Sequence, residues 1–325
     1  MSALRTSIAL ATYQGARFLE EQLESFRNQT RLPDEVVISD DHSSDETDLI
    51  VEAFIQRASF PVKFIKNEGP RGITRNFENA VKHCSHEIIL FSDHDDVWLP
   101  AHVERLAGLL ELHEQVLAVS SNSVVVDEQL RRKGYTHEDS LRYPRRLHQA
   151  VMRFPKNQFE LIVRQRDPSG HGLAFRRSLF PLIFPFHEIC LHDWWVYMLA
   201  ASAGSVGYIS EPLTLYRTHQ SQTMGGEKKS MVATAARLAE MGGDEAPIWR
   251  PILERLRERP RFARDFEYAE RLLTEKIEFI ERRTQTRKLG LPRRAVATFL
   301  ELLIGRYHRL GRGFKTYARD LYGNR

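Results

Sequence analysis

Four short apolar or β-branched runs open the chain, at Ser7 to Ala11, Glu35 to Ser39, Val62 to Lys66 and Glu87 to Ser92. Each of the first three gives way to a longer amphipathic stretch: about Phe18 to Asn28, Asp45 to Arg57 and Ile73 to His83. These stretches repeat apolar residues at helical spacing, as Leu19, Leu23 and Phe26 show. A β-α-β-α rhythm of this kind predicts an α/β fold built on a doubly wound, mostly parallel sheet. In such sheets ligands bind beyond the carboxyl ends of the strands. Chemistry is therefore sought just after each run, at Thr12-Tyr13, Asp40-Asp41 and Asp93 to Asp96.

At 325 residues the chain can bury one sizeable core and still carry an appendage. We expect a main domain over 1–226, in halves of about 1–127 and 128–226, and a helical region over 227–325. After about Glu128 the apolar rhythm becomes irregular, with a basic, loop-like stretch through Arg131 to Arg146 and a charged run from Arg164 to Pro168. From about Lys228 long helical patterns dominate, broken near Gly242-Gly243, Pro260 and Pro292.

Apolar and charged fractions of 42% and 28% belong to a globular chain rather than a disordered or fibrous one. The net charge of +4 conceals an asymmetry. Arg287 to Arg325 holds ten Lys or Arg against two acids, net +8, whereas residues 1–286 hold 37 against 41, net −4. Cys84 and Cys190 are too few for a disulfide framework, which points to a reducing cytosol. No run reads as a secretory signal, and the longest apolar stretch, Leu179 to Phe186, is cut by Pro181 and Pro185. No membrane-spanning helix is expected.

Asp93, Asp95 and Asp96 close the apolar run Ile88-Ile89-Leu90-Phe91, so three carboxylates crowd together where a strand has just ended. Folding alone has no use for that much like charge. Hard oxygen ligands suit Mg2+ or Mn2+, and Mg2+ is commonly held by one or two carboxylates plus substrate phosphates. The competing reading makes these acids caps of the next helix, which Pro100 would start. Asp40-Asp41 reads either as an acceptor of a base N–H or ribose hydroxyl or, with Ser43-Ser44-Asp45, as a turn and N-cap. For Ser43 to Asp45 we take the turn and N-cap.

Asp193 is flanked by His192, Trp194 and Trp195, and partial desolvation by the indoles would raise its pKa and strengthen it as a base. Its other reading is a helix N-cap. His219, after Leu213-Thr214-Leu215-Tyr216, is either a ligand or an ordinary surface or core histidine. Gly170 and Gly172 mark a turn, or a close approach of backbone to a ligand.

Three segments, Ile8-Ala-Leu-Ala-Thr-Tyr-Gln-Gly15, Val37-Ile-Ser-Asp-Asp-His-Ser-Ser44 and Phe91-Ser-Asp-His-Asp-Asp-Val-Trp98, resemble family 2 glycosyltransferases. The last looks especially like the branch containing rhamnosyltransferase-like enzymes. The resemblance continues in the family's order through Gly170-His-Gly-Leu-Ala-Phe-Arg176, His192-Asp-Trp-Trp195 and Tyr216-Arg-Thr-His219, covering about Ser7 to Met224. It implies a GT-A fold, a nucleotide diphosphate sugar donor and a divalent cation, Mn2+ or Mg2+.

Thr12, Tyr13 and Asp41, with Asp40 beside it, fall where the family holds the nucleoside, and Arg75 on the third helix is a further donor-side candidate. Asp93 and Asp95 match the metal and diphosphate motif, and His219 a position that closes over the metal or diphosphate. Asp193 matches the catalytic base. By the same resemblance 1–127 is the nucleotide-sugar half and 128–226 faces the acceptor. The family often has Gly where His42 stands, Asn where Gln14 stands and an acid where His192 stands. None of these departures removes an essential group, and His tolerates left-handed backbone better than most residues.

The chemistry agrees, since transfer from a sugar diphosphate needs charge neutralised on the leaving group and a proton removed from the acceptor hydroxyl. The reading is an inverting transfer from a dTDP-rhamnose-like or UDP-sugar to a hydroxyl of a glycan or lipid-linked acceptor. The setting it implies is synthesis of a cell-surface polysaccharide, O-antigen or capsule. Two rivals stay open: an aspartate-nucleophile phosphohydrolase, which Leu90-Phe-Ser-Asp-His-Asp95 superficially matches, and a non-catalytic sugar-nucleotide-binding protein of the same fold. A dinucleotide oxidoreductase is excluded, because no G-x-G-x-x-G follows the first strand.

In the tail Val296, Phe299, Leu300, Leu303, Tyr307, Leu310, Phe314 and Tyr317 recur every three or four residues. Arg293, Arg294, Arg306, Arg309, Arg312, Lys315 and Arg319 interleave with them. Such helices either lie on an anionic membrane, here the inner face of the plasma membrane, or pack on the main domain with a solvated basic face. Nucleic acid is not expected as a partner, as no recognition motif accompanies the charge.

Overall fold

The computed structural model describes residues 3–140, 158–165, 172–220, 222, 246–311 and 313–322. The chain divides into two compact units, Met1–Phe154 with Pro168–Gln222, and Pro155–Asp167 with Thr223–Arg325.

In the first unit the apolar runs form β1 (Thr6–Thr12), β2 (Glu35–Asp40), β3 (Val62–Lys66) and β4 (Ile88–Asp93). They alternate with α1 (Leu19–Arg27), α2 (Thr47–Arg57) and α3 (Ile73–Lys82). The strands pair in parallel in the order β3-β2-β1-β4. β1 and β2 are buried along their whole length, as central parallel strands under helices must be. Leu19, Leu23 and Phe26 of α1 and Val51 and Phe54 of α2 join Ile8, Leu10, Val36 and Ile38 in one core.

The strand order reverses at β1, and β1 and β4 therefore flank a switch point where open α/β sheets bind ligands. The register sets the strand ends level, with Thr12 opposite Asp40 and Ala11 opposite Asp93.

Beyond β4 the sheet is mixed. β5 (Val97–Trp98), β6 (Val116–Val126), β7 (Arg132–Thr136), β8 (Ala174–Arg176) and β9 (Ser205–Arg217) complete the nine strands found among the described residues. The order continues β4-β8-β6-β9-β5, with β7 on the other part of β6; β8 is antiparallel to β4 and β6, while β6 and β9 are parallel. After β5, α4 (His102–Leu112) buries Val103, Leu106, Ala107 and Leu110 in the same core.

The stretch after Glu128, expected as loop, instead holds β7 and a helical turn, α5 (His137–Ser140). β7 is a short, charged strand with no apolar alternation, so hydropathy alone does not reveal it. Residues 141–146 of that stretch lie outside the described residues. In the expected charged run, Arg164 lies in the last turn of a helix, α6 (Gln158–Gln165), which belongs to the second unit. α7 (Phe180–Ile183) and the almost wholly buried α8 (His192–Ala203) complete the first unit.

The second unit is helical: α6, α9 (Ala246–Glu258), α10 (Phe266–Arg287), α11 (Leu291–Leu303), α12 (Arg306–Leu310) and α13 (Phe314–Tyr322). Pro260 lies in a 3-10 turn between α9 and α10, and Pro292 in the first turn of α11, where its missing N–H costs nothing. Gly242-Gly243 falls outside the described residues. Asp265 caps α10, accepting from Tyr268 N at 3.0 Å. Inside, Arg283 donates to both Asp320 oxygens at 2.5 and 3.1 Å, and Tyr307 Oη donates to Asp320 Oδ2 at 3.0 Å. Arg287 Nε lies 3.4 Å from the same carboxylate, so loss of Asp320 would strand the buried Arg283. No helix among the described residues is long and apolar enough to cross a membrane.

Candidate active site

The first strand ends at Thr12, whose carbonyl accepts from Asp41 N and Asn76 Nδ2, each at 3.0 Å. Asn76 Oδ1 in turn accepts from Ser39 Oγ at 2.6 Å, so one buried amide ties the start of α3 to the ends of β1 and β2. Thr12 Oγ1 is buried and has no hydrogen-bond partner among the described residues. Such a group holds hydrogen-bonding capacity in reserve. Beside it, a Cβ on Gly15 would meet Thr12 Oγ1 at 2.5 Å and His94 Cδ2 at 3.1 Å, so glycine lets this loop lie against both. Tyr13 is half exposed. Gln14 and His42 both adopt positive φ, 49° and 61°, and His42 Nε2 lies 2.8 Å from Asn67 O. The turn thus tolerates histidine where the resembling family often has glycine.

Asp40 and Asp41 are adjacent but differently employed. Asp40 is fully buried and accepts from Lys66 Nζ at 2.9 Å, Ser43 N at 2.8 Å and Ser43 Oγ at 2.5 Å. It locks the turn into α2, a contact with the fold rather than with a ligand. Asp41 accepts from Asn67 Nδ2 at 2.8 Å on one oxygen and from Gly72 N at 2.9 Å on the other. Each of its oxygens keeps an acceptor site. Asp45 accepts from Thr47 N at 3.1 Å, which fits the turn expected over Ser43 to Asp45, but the N-cap of α2 is Glu46, without a side-chain bond, so the expected cap is not found there.

Arg75, expected on the donor side, is held by Glu78 at 2.7 Å, Glu188 at 2.9 Å and Phe186 O at 3.1 Å. None of these partners belongs to the acidic cluster.

Within that cluster the three acids differ. The Asp93 carboxylate has no hydrogen bond or ion pair among the described residues. Burial, and then the charges of Asp95 and Asp193, hold its pKa well above the usual carboxylate range. Burial would raise Asp95 too, but the 2.9 Å bond from His219 Nε2 and the neighbouring His94 bring it below that range. Asp96 points inward and accepts from Arg217 N at 3.0 Å; burial and the charges of Asp95 and Asp93 raise its pKa. None of the three caps α4. β5 intervenes, and the N-cap residue, Ala101, makes no side-chain bond.

Strand pairing explains how His219 arrives at an acid 124 residues away in sequence. β5, directly after the acidic turn, pairs antiparallel with β9 through Val97 opposite Leu215 and Trp98 opposite Thr214. Sequence reasoning gave no role to Arg217, which organises this junction. It is 1% exposed, donates through Nε to Asp95 O at 2.7 Å and through Nη1 to Glu128 O at 2.5 Å, and pairs through Nη2 with Glu21. Its guanidinium covers the Phe18 ring at 4.5 Å, and Phe18 lies 4.7 Å from the His219 ring. The available signal was a lone arginine ending an apolar strand two residues before the candidate histidine. Arg217→Met should lower unfolding stability by about 2 kcal/mol, since it takes a donor from the carbonyls of Asp95 and Glu128, while Glu21, half exposed, returns to water. Urea unfolding checks this, and an unchanged midpoint would mean the turn is held by other contacts.

Asp193 is the second residue of α8, whose N-cap, Leu191, makes no side-chain bond, so the capping reading of Asp193 does not hold. Burial lifts its pKa to about 6 against the 2.6 Å bond from Trp194 N. His192 stacks on Phe77 at 3.6 Å and stands edge-on to Phe91 at 4.8 Å, and burial drops its pKa to about 3. It is a neutral aromatic wedge at the start of α8. Trp195 anchors the helix by donating from Nε1 to Ile183 O at 2.7 Å. Asp193 is near enough for its charge to act on Asp93. Gly172 serves packing: a Cβ there would meet Ser121 Oγ at 2.4 Å. Gly170 lies outside the described residues.

A family model described as "Glycosyl transferase family 2" matches residues 7–184. The chain belongs to glycosyl transferase family 2. It is 26% identical to the dTDP-rhamnosyl transferase RfbG of Shigella flexneri over 232 residues, covering 66% of this chain and 73% of that one. An uncharacterised glycosyltransferase of Nostoc sp. is 24% identical over 257 residues, with 75% and 72% covered. Among solved structures, S. aureus TarS in complex with UDP superposes with a TM-score of 0.56 at 18% identity, over 89% of this chain and 76% of the other. The mannosyltransferase PcManGT of Pyrobaculum calidifontis, in complex with GDP-Man and Mn2+, gives 0.56 at 17% identity over 100% and 89%. These likenesses show a GT-A fold with a helical C-terminal part.

This family 2 glycosyltransferase thus brings Thr12, Tyr13 and Asp41 to adjoining strand ends, joins His219 to Asp95 two residues after Asp93, and leaves Asp193 near enough for its charge to act on Asp93. Among the described residues no three His, Cys, Asp or Glu side chains converge on a metal position. The crowded, unpartnered carboxylate of Asp93 nevertheless fits a hard cation that completes its shell from substrate oxygens, the habit of Mg2+.

Proposed function

We propose that this glycosyltransferase moves a sugar, with inversion, from a nucleotide diphosphate sugar to a hydroxyl of a glycan or lipid-linked acceptor in cell-surface polysaccharide synthesis. O-antigen or capsule is the product class, made on the cytoplasmic side of the membrane. The observation that carries the reading is the Asp93 carboxylate, which ends β4 at the switch point of the sheet without a hydrogen bond or ion pair among the described residues, two residues before Asp95 and its 2.9 Å partner His219.

On this reading 1–226 is the catalytic domain, with the donor on 1–127 and the acceptor on 128–226, and 227–325 is a helical annex. Thr12, Tyr13 and Asp41 receive the nucleoside, Thr12 through its unpartnered Oγ1 and Asp41 through its spare acceptor sites. Asp40 contributes indirectly, by fixing the turn that carries Asp41, and Arg75 by holding α3 to the 186–188 segment. Asp93 and Asp95, with His219, would hold Mn2+ or Mg2+, which would supply neutralisation of the charge on a departing diphosphate. Asp193 takes the proton of the acceptor hydroxyl; a carboxylate titrating near 6 is ionised at neutral pH yet more basic than an ordinary one. The hydroxyl attacks the anomeric carbon in a single displacement, which inverts it.

A deoxyhexose on dTDP is the first candidate donor, supported by the relative named as a dTDP-rhamnosyl transferase. UDP-sugars follow, because TarS structures contain UDP and UDP-GlcNAc, and the Mn2+ of the P. calidifontis complex supports the cation. Thermal shift with dTDP-, UDP- and GDP-sugars, with and without Mn2+, tests all of this. A donor at about 100 times its Kd should add about 2.7 kcal/mol of stability, and only when Mn2+ is present. Absence of a shift with every sugar nucleotide would sink the reading.

A further inference from the structure

Helix α11 turns its apolar stripe outward. The only residue it buries is Thr298, whose Oγ1 donates back to Arg294 O at 2.9 Å. Val296, Phe299, Leu300 and Leu303 are 62, 51, 56 and 65% exposed, at the i, i+3, i+4, i+7 spacing of a single helical face. Ile304 and Phe314, just beyond the helix and at the start of α13, are exposed to a similar degree. Isolated exposed apolar residues need no explanation, but a whole stripe marks a surface that something covers.

The charges around it choose the occupant. Arg306 is paired with Glu301, and Arg309 with Glu160 and Glu275. Lys288, Arg293 and Lys315 have no ion pair among the described residues, whereas Arg294 lies on the Thr298 side of the helix, bonded to the carbonyls of Leu289 and Arg287. A second copy docked face to face would bring these cations against their equals. An anionic lipid surface complements both the stripe and its cations, with apolar side chains at the acyl boundary and the cations among the phosphates.

We propose that the α11 face, with Phe314 and the nearby cations Lys288, Arg293 and Lys315, docks this chain on an anionic bilayer. The proposal stands apart from the transferase reading, because its measurement needs neither donor nor acceptor.

Flotation of the full chain with vesicles of phosphatidylcholine alone, and of phosphatidylcholine mixed with phosphatidylglycerol, provides the test. Binding is expected only to the mixed vesicles and should weaken as salt is raised. A variant carrying Val296→Ser, Phe299→Ser and Leu303→Ser should lose about a hundredfold in partitioning, since three apolar side chains leave the interface. Its melting temperature should stay unchanged, as all three are already exposed. Arg293→Glu with Lys315→Glu should abolish binding while sparing the stripe. Equal partitioning of wild type and the serine variant, or no binding at all, overturns the proposal. So does a fall in melting temperature of the serine variant, which would show the stripe covered within the chain, or dissociation of a dimer seen by sedimentation.

Discussion

Asp93→Asn is expected to lower kcat/KM by about a thousandfold without damage to the fold, the scale set by losing charge stabilisation of a leaving group. The side chain makes no hydrogen bond or ion pair among the described residues, so the amide gives up no structural contact. Asp93 has a raised pKa in the folded protein, so its stabilising contribution belongs to the protonated form at low pH and is lost as pH rises. At neutral pH the carboxylate therefore costs stability, and the amide should melt no lower than the native chain. Two measurements separate outcomes: the Mn2+-dependent thermal shift with sugar nucleotides should vanish, while the metal-free melting temperature holds or rises. Retention of that shift, with activity within about threefold of the native chain, would place the cation elsewhere.

The same contrast between local and distant contacts decides what the sequence reveals. β1 to β4 and their helices are legible because a central parallel strand is apolar throughout and its covering helices repeat at 3.6, properties each segment carries alone. The candidate acids are legible because strand ends in such a sheet bind ligands, and the register that sets Thr12 opposite Asp40 and Ala11 opposite Asp93 follows from that sheet. What separates Asp40 from Asp41 is not legible. Neighbouring residues at a strand end point opposite ways, so one meets Lys66 and Ser43 while the other meets Asn67 and Gly72.

Arg75 and Arg217 show the limit more sharply. Their partners Glu188 and Glu21 lie 113 and 196 residues away in sequence, and only the finished sheet tells which arginine is bound to a loop and which is buried at the acidic turn. The tail makes the same point in reverse. Its amphipathic period is plain in the sequence, but the side of α11 that faces its neighbours is fixed by packing, which buries Thr298 and leaves Phe299 outside.

Asp193→Asn separates catalysis from donor binding. If Asp193 takes the acceptor proton, the amide should lower kcat by about a thousandfold, within the range removed with a general base. The Mn2+-dependent donor shift should persist, because the leaving group is handled by Asp93 and Asp95. The native chain adds a pH signature. With Asp193 titrating near 6, kcat/KM should fall about tenfold per unit below that pH, whereas the residual activity of the amide should be flat there. Stability must move oppositely. The raised carboxyl stabilises the fold below its ordinary value of 3.8, and that contribution is gone by neutral pH, where ionised Asp193 is a burden. The amide should therefore melt higher at pH 7 and no higher at pH 4. An amide variant with undiminished transfer would remove Asp193 as the base, and one that also lost the donor shift would make its effect structural; only loss of turnover with donor binding and stability retained marks proton removal as its work.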